Sequence, residues 1–180
     1  MNDIMLDLET MGTSMSSVIL SIGAVRFNPQ TSELGETFSV YIDVDSSLAS
    51  GCSISQSTLL WWMGQSDEAR SRQTGATRVP LQEALIRFEN FVTPRNRIWG
   101  NGADFDNALL GAMYSRASIP QPWSYWNNRC YRTMKNLFPN APVPVRTDVK
   151  HDALDDAIHQ AKHLQAIFNY INARTNGGAA

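Results

Sequence analysis

The sequence predicts an α/β domain: one mixed sheet of five strands, three of them antiparallel and the rest parallel, covered by helices. Three observations predict it. Residues 4–42 hold three β-rich stretches joined by turns too short for crossover helices, which makes them antiparallel neighbours. Beyond them, strand-like runs alternate with stretches of helical periodicity, the pattern of strands joined through helices. And 180 residues, 43% apolar and 18% charged, suffice for one full core.

The first strand is Ile4-Met5-Leu6-Asp7-Leu8-Glu9, running into Thr10-Met11-Gly12-Thr13. After a Ser-rich turn, Val18 to Phe27 is a mostly apolar, β-branched run that reads as a buried strand. Asn28-Pro29-Gln30-Thr31 turns the chain into a third strand, Glu36 to Ile42. Ser55 to Met63 reads as a short helix capped by Ser53 or Ser55, and the polar, glycine-containing residues 64–79 as a mobile loop. Pro80 fits a first-turn proline before Leu81, Leu85, Phe88 and Val92, which recur at helical spacing. Arg97 to Gly100 is a short strand, Asp104 to Arg116 a helix, and Arg129 to Tyr131 a last strand leading into a helix through Phe138. Past a Pro-rich break, the stripe Leu154, Ala157, Ile158, Ala161, Leu164, Phe168 and Ile171 marks a helix from about Asp152 to Ala173. Nothing divides the chain into two units, so residues 1–174 are expected to form one domain and 175–180 a disordered tail.

Alternate side chains of a strand share a face, so Asp7 and Glu9 project together, opposite Ile4, Leu6 and Leu8. Two carboxylates on one face of an apolar strand are either solvated at an edge or offset by a cation, for which hard divalent ions are the natural ligand class. A second acidic motif, Gly100-Asn101-Gly102-Ala103-Asp104-Phe105-Asp106, follows a short strand and opens a helix, at the sheet edge where α/β sites usually lie. A third, His151-Asp152-Ala153-Leu154-Asp155-Asp156-Ala157, opens the last helix, where capping by Asp152 accounts for part of the cluster. His151 and Asp156 would stand about 140° apart on one helix, so His151 must sit on the preceding loop if both reach one site. Periodicity leaves Asp155 and Asp156 equivalent, one on either side of the apolar stripe.

D-x-E on the first strand, N-x3-F-D before a central helix and H-x4-D at the last helix together resemble the DEDDh family of 3′-5′ exonucleases, which have an RNase H-like fold. The resemblance spans Asp7 to Ala157 in order. Leu6 to Gly12 and Thr58-Leu59-Leu60-Trp61-Trp62 look closest to its RNase T-like and prophage exonuclease VIII-like branch. The related tyrosine subtype would need Tyr at position 152, which is Asp here. The resemblance implies that Asp7, Glu9, Asp106 and Asp156, rather than Asp155, hold two Mg²⁺ or Mn²⁺ ions around a scissile phosphate, with His151 as general base. Two ions about 4 Å apart activate a water and stabilise the leaving oxygen, and histidine exchanges protons near neutral pH. It also implies that Thr10, Met11 and Gly12 approach the terminal nucleotide, Met11 as a wedge or else as a core side chain, with glycine permitting close backbone contact.

Other residues carry two readings each. Adjacent tryptophans on a helix diverge by about 100°, so one of Trp61 and Trp62 belongs to the core while the other, taken as Trp61, could stack on a base. Phe105 reads as core. Asn101 could bond the nucleotide or fix its turn, and Arg129 and Arg132 could meet phosphates or solvent. His159 and His163 share a helix face without a further metal ligand at useful spacing, and read as an exposed polar face.

The net charge of −2, from 15 basic and 17 acidic residues, argues against coating duplexes through many phosphate contacts and favours single strands. No apolar run of membrane-spanning length and no secretory leader is seen. Two cysteines, Cys52 and Cys130, fit a reducing cytoplasm. The expected activity is removal of 5′-nucleotides from the 3′ end of single-stranded RNA or DNA, by a chain that the resemblance makes a homodimer. The alternatives are a non-catalytic nucleic-acid-binding module of the same fold, or a phosphodiesterase of small oligonucleotides.

Overall fold

A computed structural model describes residues 1–176. Strands β1 (Asp3–Thr10), β2 (Ile19–Phe27) and β3 (Leu34–Ile42) form the expected antiparallel meander. They are followed by α1 (Val44–Ala49), α2 (Gln56–Met63), α3 (Asp67–Gly75), β4 (Arg78–Val79), α4 (Leu81–Phe91), β5 (Arg97–Gly100), α5 (Asp106–Arg116), a 3₁₀ turn (Tyr125–Asn127), β6 (Asn128–Cys130), α6 (Tyr131–Leu137) and α7 (Ala153–Asn176). The sheet order is β4-β3-β2-β1-β5-β6, with β5 parallel to β1, β6 to β5 and β4 to β3.

The sheet therefore has six strands where the sequence suggested five, because two residues at 78 and 79 pair with the end of β3. Residues 64–79 are mostly helix rather than loop. Ser66 accepts a hydrogen bond from the Ala69 N–H at 3.2 Å, and Asp67 and Glu68 occupy the favourable first turn of α3. The last helix also outruns its predicted end: Thr175 bonds back to the Ile171 carbonyl. Residues 177–180 of the expected tail lie outside the described residues.

Every residue of β1 is buried, because helices cover both faces of the strand. Ile4, Leu6 and Leu8 enter one core with Leu85 and Phe88 of α4 and Leu109, Leu110 and Met113 of α5. Met5 enters the other with Tyr131 of α6 and Ala157, Ala161, Leu164 and Ile167 of α7. The period-2 alternation thus sends Asp7 and Glu9 towards α7. Among the described residues no helix is long and apolar enough to cross a membrane, and both cysteines are free thiols.

Candidate active site

The acidic face of β1 meets α7 because of Gly23. This β2 residue pairs with Asp7, and a Cβ on it would stand 2.1 Å from the Ala153 carbonyl carbon and 2.2 Å from the Leu154 nitrogen. Only glycine lets the first turn of α7 rest on the sheet there. Asp152 caps that turn as the sequence suggested, accepting from the Leu154 and Asp155 N–H groups at 3.2 Å, and its other oxygen accepts from the Tyr41 hydroxyl at 2.9 Å. On the opposite side, Gly100 ends β5 where a Cβ would lie 2.3 Å from Asn107 Oδ1, which allows α5 to begin tightly against the strand with Asp106 at its first position.

Asp7, Glu9, Asp106, Asp156 and His151 consequently line one cleft of about 820 Å³. Ligand atoms of Glu9, His151 and Asp156 all lie within 4.8 Å of one another. Asp155 takes the other side of α7, accepting from the Val149 N–H at 3.3 Å, and does not line the cleft. His151 sits on the loop before α7 in left-handed backbone (φ 64°). Three elements hold it there. Its N–H donates to Asp156 Oδ2 at 3.0 Å, its carbonyl accepts from Gln73 Nε2 of α3 at 3.3 Å, and its ring meets the Trp61 edge with centroids 4.9 Å apart.

The carboxylates are costly as anions in this geometry. Burial, and then the charges of Asp106, Glu9 and Asp156, raise the Asp7 carboxyl well above its ordinary range, against a side-chain hydrogen bond from Gln160. Burial followed by Asp156, Asp152 and Asp106 pushes Glu9 to about 8. Burial pushes Asp106 to about 7, although backbone hydrogen bonds from Asn101 and Leu8 and the charge of Arg132 act the other way. Asp106 Oδ2 is buried without a partner. Hard oxygen ligands, an orphaned carboxylate oxygen and mutual repulsion are the donor set that a divalent cation satisfies. Arg146 offsets part of the charge by pairing with Asp156 and with Asp148, the latter at 2.7 Å.

Beside the cleft, and sharing Leu8, Glu9 and Phe105 with it, lies a more apolar pocket of about 440 Å³ formed by the end of β1 and α2. Thr10, Gly12, Thr58 and Trp61 line it. Phe105 is thus a wall of both cavities as well as a neighbour of the core. Trp61 is 45% exposed, whereas Trp62 is buried and its indole N–H donates to the Thr10 carbonyl at 2.9 Å. The expected divergence of the two rings holds. Met11 is buried in the core and lines neither cavity, so its side chain is no wedge; its N–H bonds to the Val18 carbonyl and its carbonyl accepts from Ser55, fixing the floor of the pocket. Asn101 lines the cleft with Oδ1 buried and unpartnered, and its carbonyl accepts from Arg132.

Arg132 faces the cleft; Arg129 does not, its guanidinium bonding to the Trp126 and Asn128 carbonyls at 2.9 Å. The exposed reading of the two α7 histidines fails for His163, which is buried with Nδ1 2.7 Å from the Tyr131 hydroxyl, because α6 packs over that face. Both histidines line the cleft. Sequence reasoning missed Gln160, whose Nε2 donates to Asp7 Oδ1 at 2.7 Å, and Arg146 and Gln73. Gln160 alone had a signal, standing one helical turn beyond Asp156 on the same face.

The chain is similar to known nucleases. Exodeoxyribonuclease of Enterobacteria phage T4 is 24% identical over 206 residues, covering 94% of this chain and 90% of the phage protein. The zinc-bound E. coli exonuclease I–single-stranded DNA complex superposes with a TM-score of 0.68 at 16% identity over 95% of this chain, which spans 42% of that larger protein. The nuclease domain of 3′hExo, a DEDDh family member bound to rAMP, gives a TM-score of 0.59 at 12% identity, covering 97% of this chain and 92% of that domain. The model of the 3′-5′ exoribonuclease Rv2179c-like domain family matches residues 2–168, and the chain belongs to that family of nucleases.

Proposed function

We propose that the protein is a divalent-metal-dependent 3′-5′ exonuclease that removes 5′-nucleotides from the end of single-stranded RNA or DNA. The observation that carries this reading is the convergence of four acidic side chains and one histidine on a cleft that opens into a nucleoside-sized apolar pocket. Asp7, Glu9, Asp106 and Asp156 would hold two Mg²⁺ or Mn²⁺ ions, which when bound supply Lewis-acid activation of the phosphate and of the attacking water.

The chain's own residues do the rest. The pocket under Trp61 and Phe105 takes the terminal base, Trp61 by stacking, while Thr10 and Gly12 bring backbone against the sugar. The ribose therefore leaves its 5′ phosphate beside Glu9, at the junction of the two cavities. Asn101, with a buried free oxygen, stands at the cleft lip where a polar group of the nucleotide can meet it. His151 accepts the proton of the attacking water, its ring steadied by Trp61 and its backbone by Gln73 and Asp156. Single strands fit best, since the chain has only 15 basic residues against 17 acidic ones with which to grip a duplex. The rAMP held by 3′hExo is the kind of product such a cut releases. Pairing of two copies belongs to the same proposal and is read by sedimentation.

The test is a time course on 5′-labelled single-stranded RNA and DNA of equal sequence with Mg²⁺, Mn²⁺ or EDTA, beside Asp7→Ala and His151→Ala. A ladder shortening from the 3′ end, abolished by EDTA and lowered by a factor of about 10²–10⁴ in His151→Ala, is expected. The faster of the two substrates identifies the preferred sugar. Binding without any shortening would make the protein a nucleic-acid-binding module.

A further inference from the structure

The two cavities differ in chemistry, and that difference orients the substrate. An exonuclease that starts at a 3′ end places one nucleoside on one side of the scissile phosphate and all remaining phosphates on the other. The pocket under Trp61 is the smaller and more apolar, lined by no basic side chain. The large cleft continues past the carboxylates into the groove between α6 and α7, where Arg132 and Lys135 project from α6 and His159 from α7. Among the described residues neither Arg132 nor Lys135 forms an ion pair, whereas Arg146 is engaged by Asp148 and Asp156.

The unpaired cations are also placed. Arg132 donates to the Asn101 carbonyl, at the lip next to Asp106. Lys135 lies one helical turn further, about 5 Å along the axis, with Nζ 5.7 Å above the Tyr131 ring. That ring is itself fixed by the hydrogen bond between its hydroxyl group and His163 Nδ1. In a chain with a net charge of −2, these two free cations, one beside Asp106 and one a helical turn beyond it, form a local positive track, and the His159 imidazole adds a hydrogen-bonding group beside them.

We propose that the α6–α7 groove is a phosphate tract for the strand on the 5′ side of the cut, with Arg132, Lys135 and His159 meeting the next one or two phosphodiesters. This rests on the exonuclease reading for its direction. It adds a length requirement: a dinucleotide, whose only phosphodiester is the scissile one, leaves the tract empty, and affinity rises once a second and third phosphate are present.

The test compares unlabelled 5′-hydroxyl dinucleotides and pentanucleotides with the same 3′ end, by their competition against a 5′-fluorescein pentanucleotide followed by anisotropy in Ca²⁺ and by kcat/KM in Mn²⁺. Wild-type protein is expected to bind the pentanucleotide at least tenfold more tightly. In Lys135→Gln/His159→Gln that ratio should shrink to within about threefold, and the slope of log affinity against log salt should fall by about 0.7 for each phosphate no longer neutralised. Lys135→Glu should weaken pentanucleotide binding further, while Arg129→Gln, which lies outside the groove, should change neither. Equal wild-type affinity for both lengths, or an undiminished ratio in the double variant, would overturn the tract. Length-dependent binding that the double variant loses, with no hydrolysis of any substrate, would uphold the tract and sink the exonuclease reading.

Discussion

Gln160 shows how a neutral side chain shapes a site made of charges. Its amide nitrogen holds Asp7 Oδ1 at 2.7 Å, and its own oxygen is buried without a partner, so the amide is committed to orienting that carboxylate. Removing an outer partner of a metal-binding carboxylate generally costs 10–100-fold in metal affinity or activity. Gln160→Ala is therefore expected to raise the Mn²⁺ concentration for half-maximal activity by at least about tenfold, measured by titrating cleavage of a labelled oligonucleotide. An unchanged midpoint would mean that Asp7 is positioned by the strand alone. The four acids themselves were legible because strand alternation and the order of three motifs constrain them. The choice between Asp155 and Asp156 was not legible from periodicity, since it depends on which side of α7 faces β1. His163 was misread for a related reason: a helix pattern does not reveal that a second helix, α6, covers the polar face.

At the scale of elements, the site is a docking problem for α7 and α3. Gly23→Ala would place a methyl group about 2 Å from α7 backbone, where no flexible side-chain tip can move aside. Overpacking of this kind costs about 1–3 kcal/mol, and lifting the helix by even 1 Å can cost about 100-fold in rate. The variant is expected to lose about 5–10 °C in Tm and to lose more activity than that destabilisation explains, as read by melting and by kcat at a temperature where it is folded. Retained wild-type kcat would show that α7 settles elsewhere without disturbing Asp156. Helix α3 acts more locally. Gln73 is buried, accepts from Ser21 Oγ at 3.4 Å and donates to the His151 carbonyl, so Gln73→Ala should loosen the loop and lower kcat by about tenfold with little change in KM. A change confined to KM would place the defect in substrate binding. The helix escaped sequence analysis because only Ala69 and Gln73 of it are buried, too few to make a periodic stripe. Its cap was readable in Ser66-Asp67-Glu68. Strand β4, two residues long, exists only by pairing with β3 and leaves no local signal.

At the scale of the whole molecule, helices on both sides of the sheet bring the acids together and make them expensive as anions. The three strands and the long helices were legible from apolar periodicity, so the burial of β1 on both faces followed from its place in the centre, not from its own sequence. That burial has a consequence for the entire fold. Glu9 moves from an ordinary 4.5 to about 8 and Asp106 from 3.8 to about 7, each chiefly by desolvation. Between the ordinary and raised values the folded, metal-free chain binds more protons than the unfolded chain, so stability falls as pH rises. The contribution is complete below about pH 4 and lost as pH climbs through 7 and 8. Carboxylates in ordinary surroundings finish titrating at acid pH. His159 and His163, whose pKa values burial lowers, add a contribution of opposite sign only in the lower part of a window from about pH 5.5 to 9, so the upper part reads the site. Across it the metal-free protein is expected to lose about 4–8 °C in Tm, and saturating Mg²⁺ or Mn²⁺ to abolish the loss, since a bound divalent ion replaces the protons. Metal affinity should accordingly strengthen with pH, with protons released on binding that appear as a buffer-dependent heat in titration calorimetry. A flat metal-free melting profile would mean that water reaches the carboxylates and ionises them freely. The cleft would then lack the unrelieved charge that makes it a metal site.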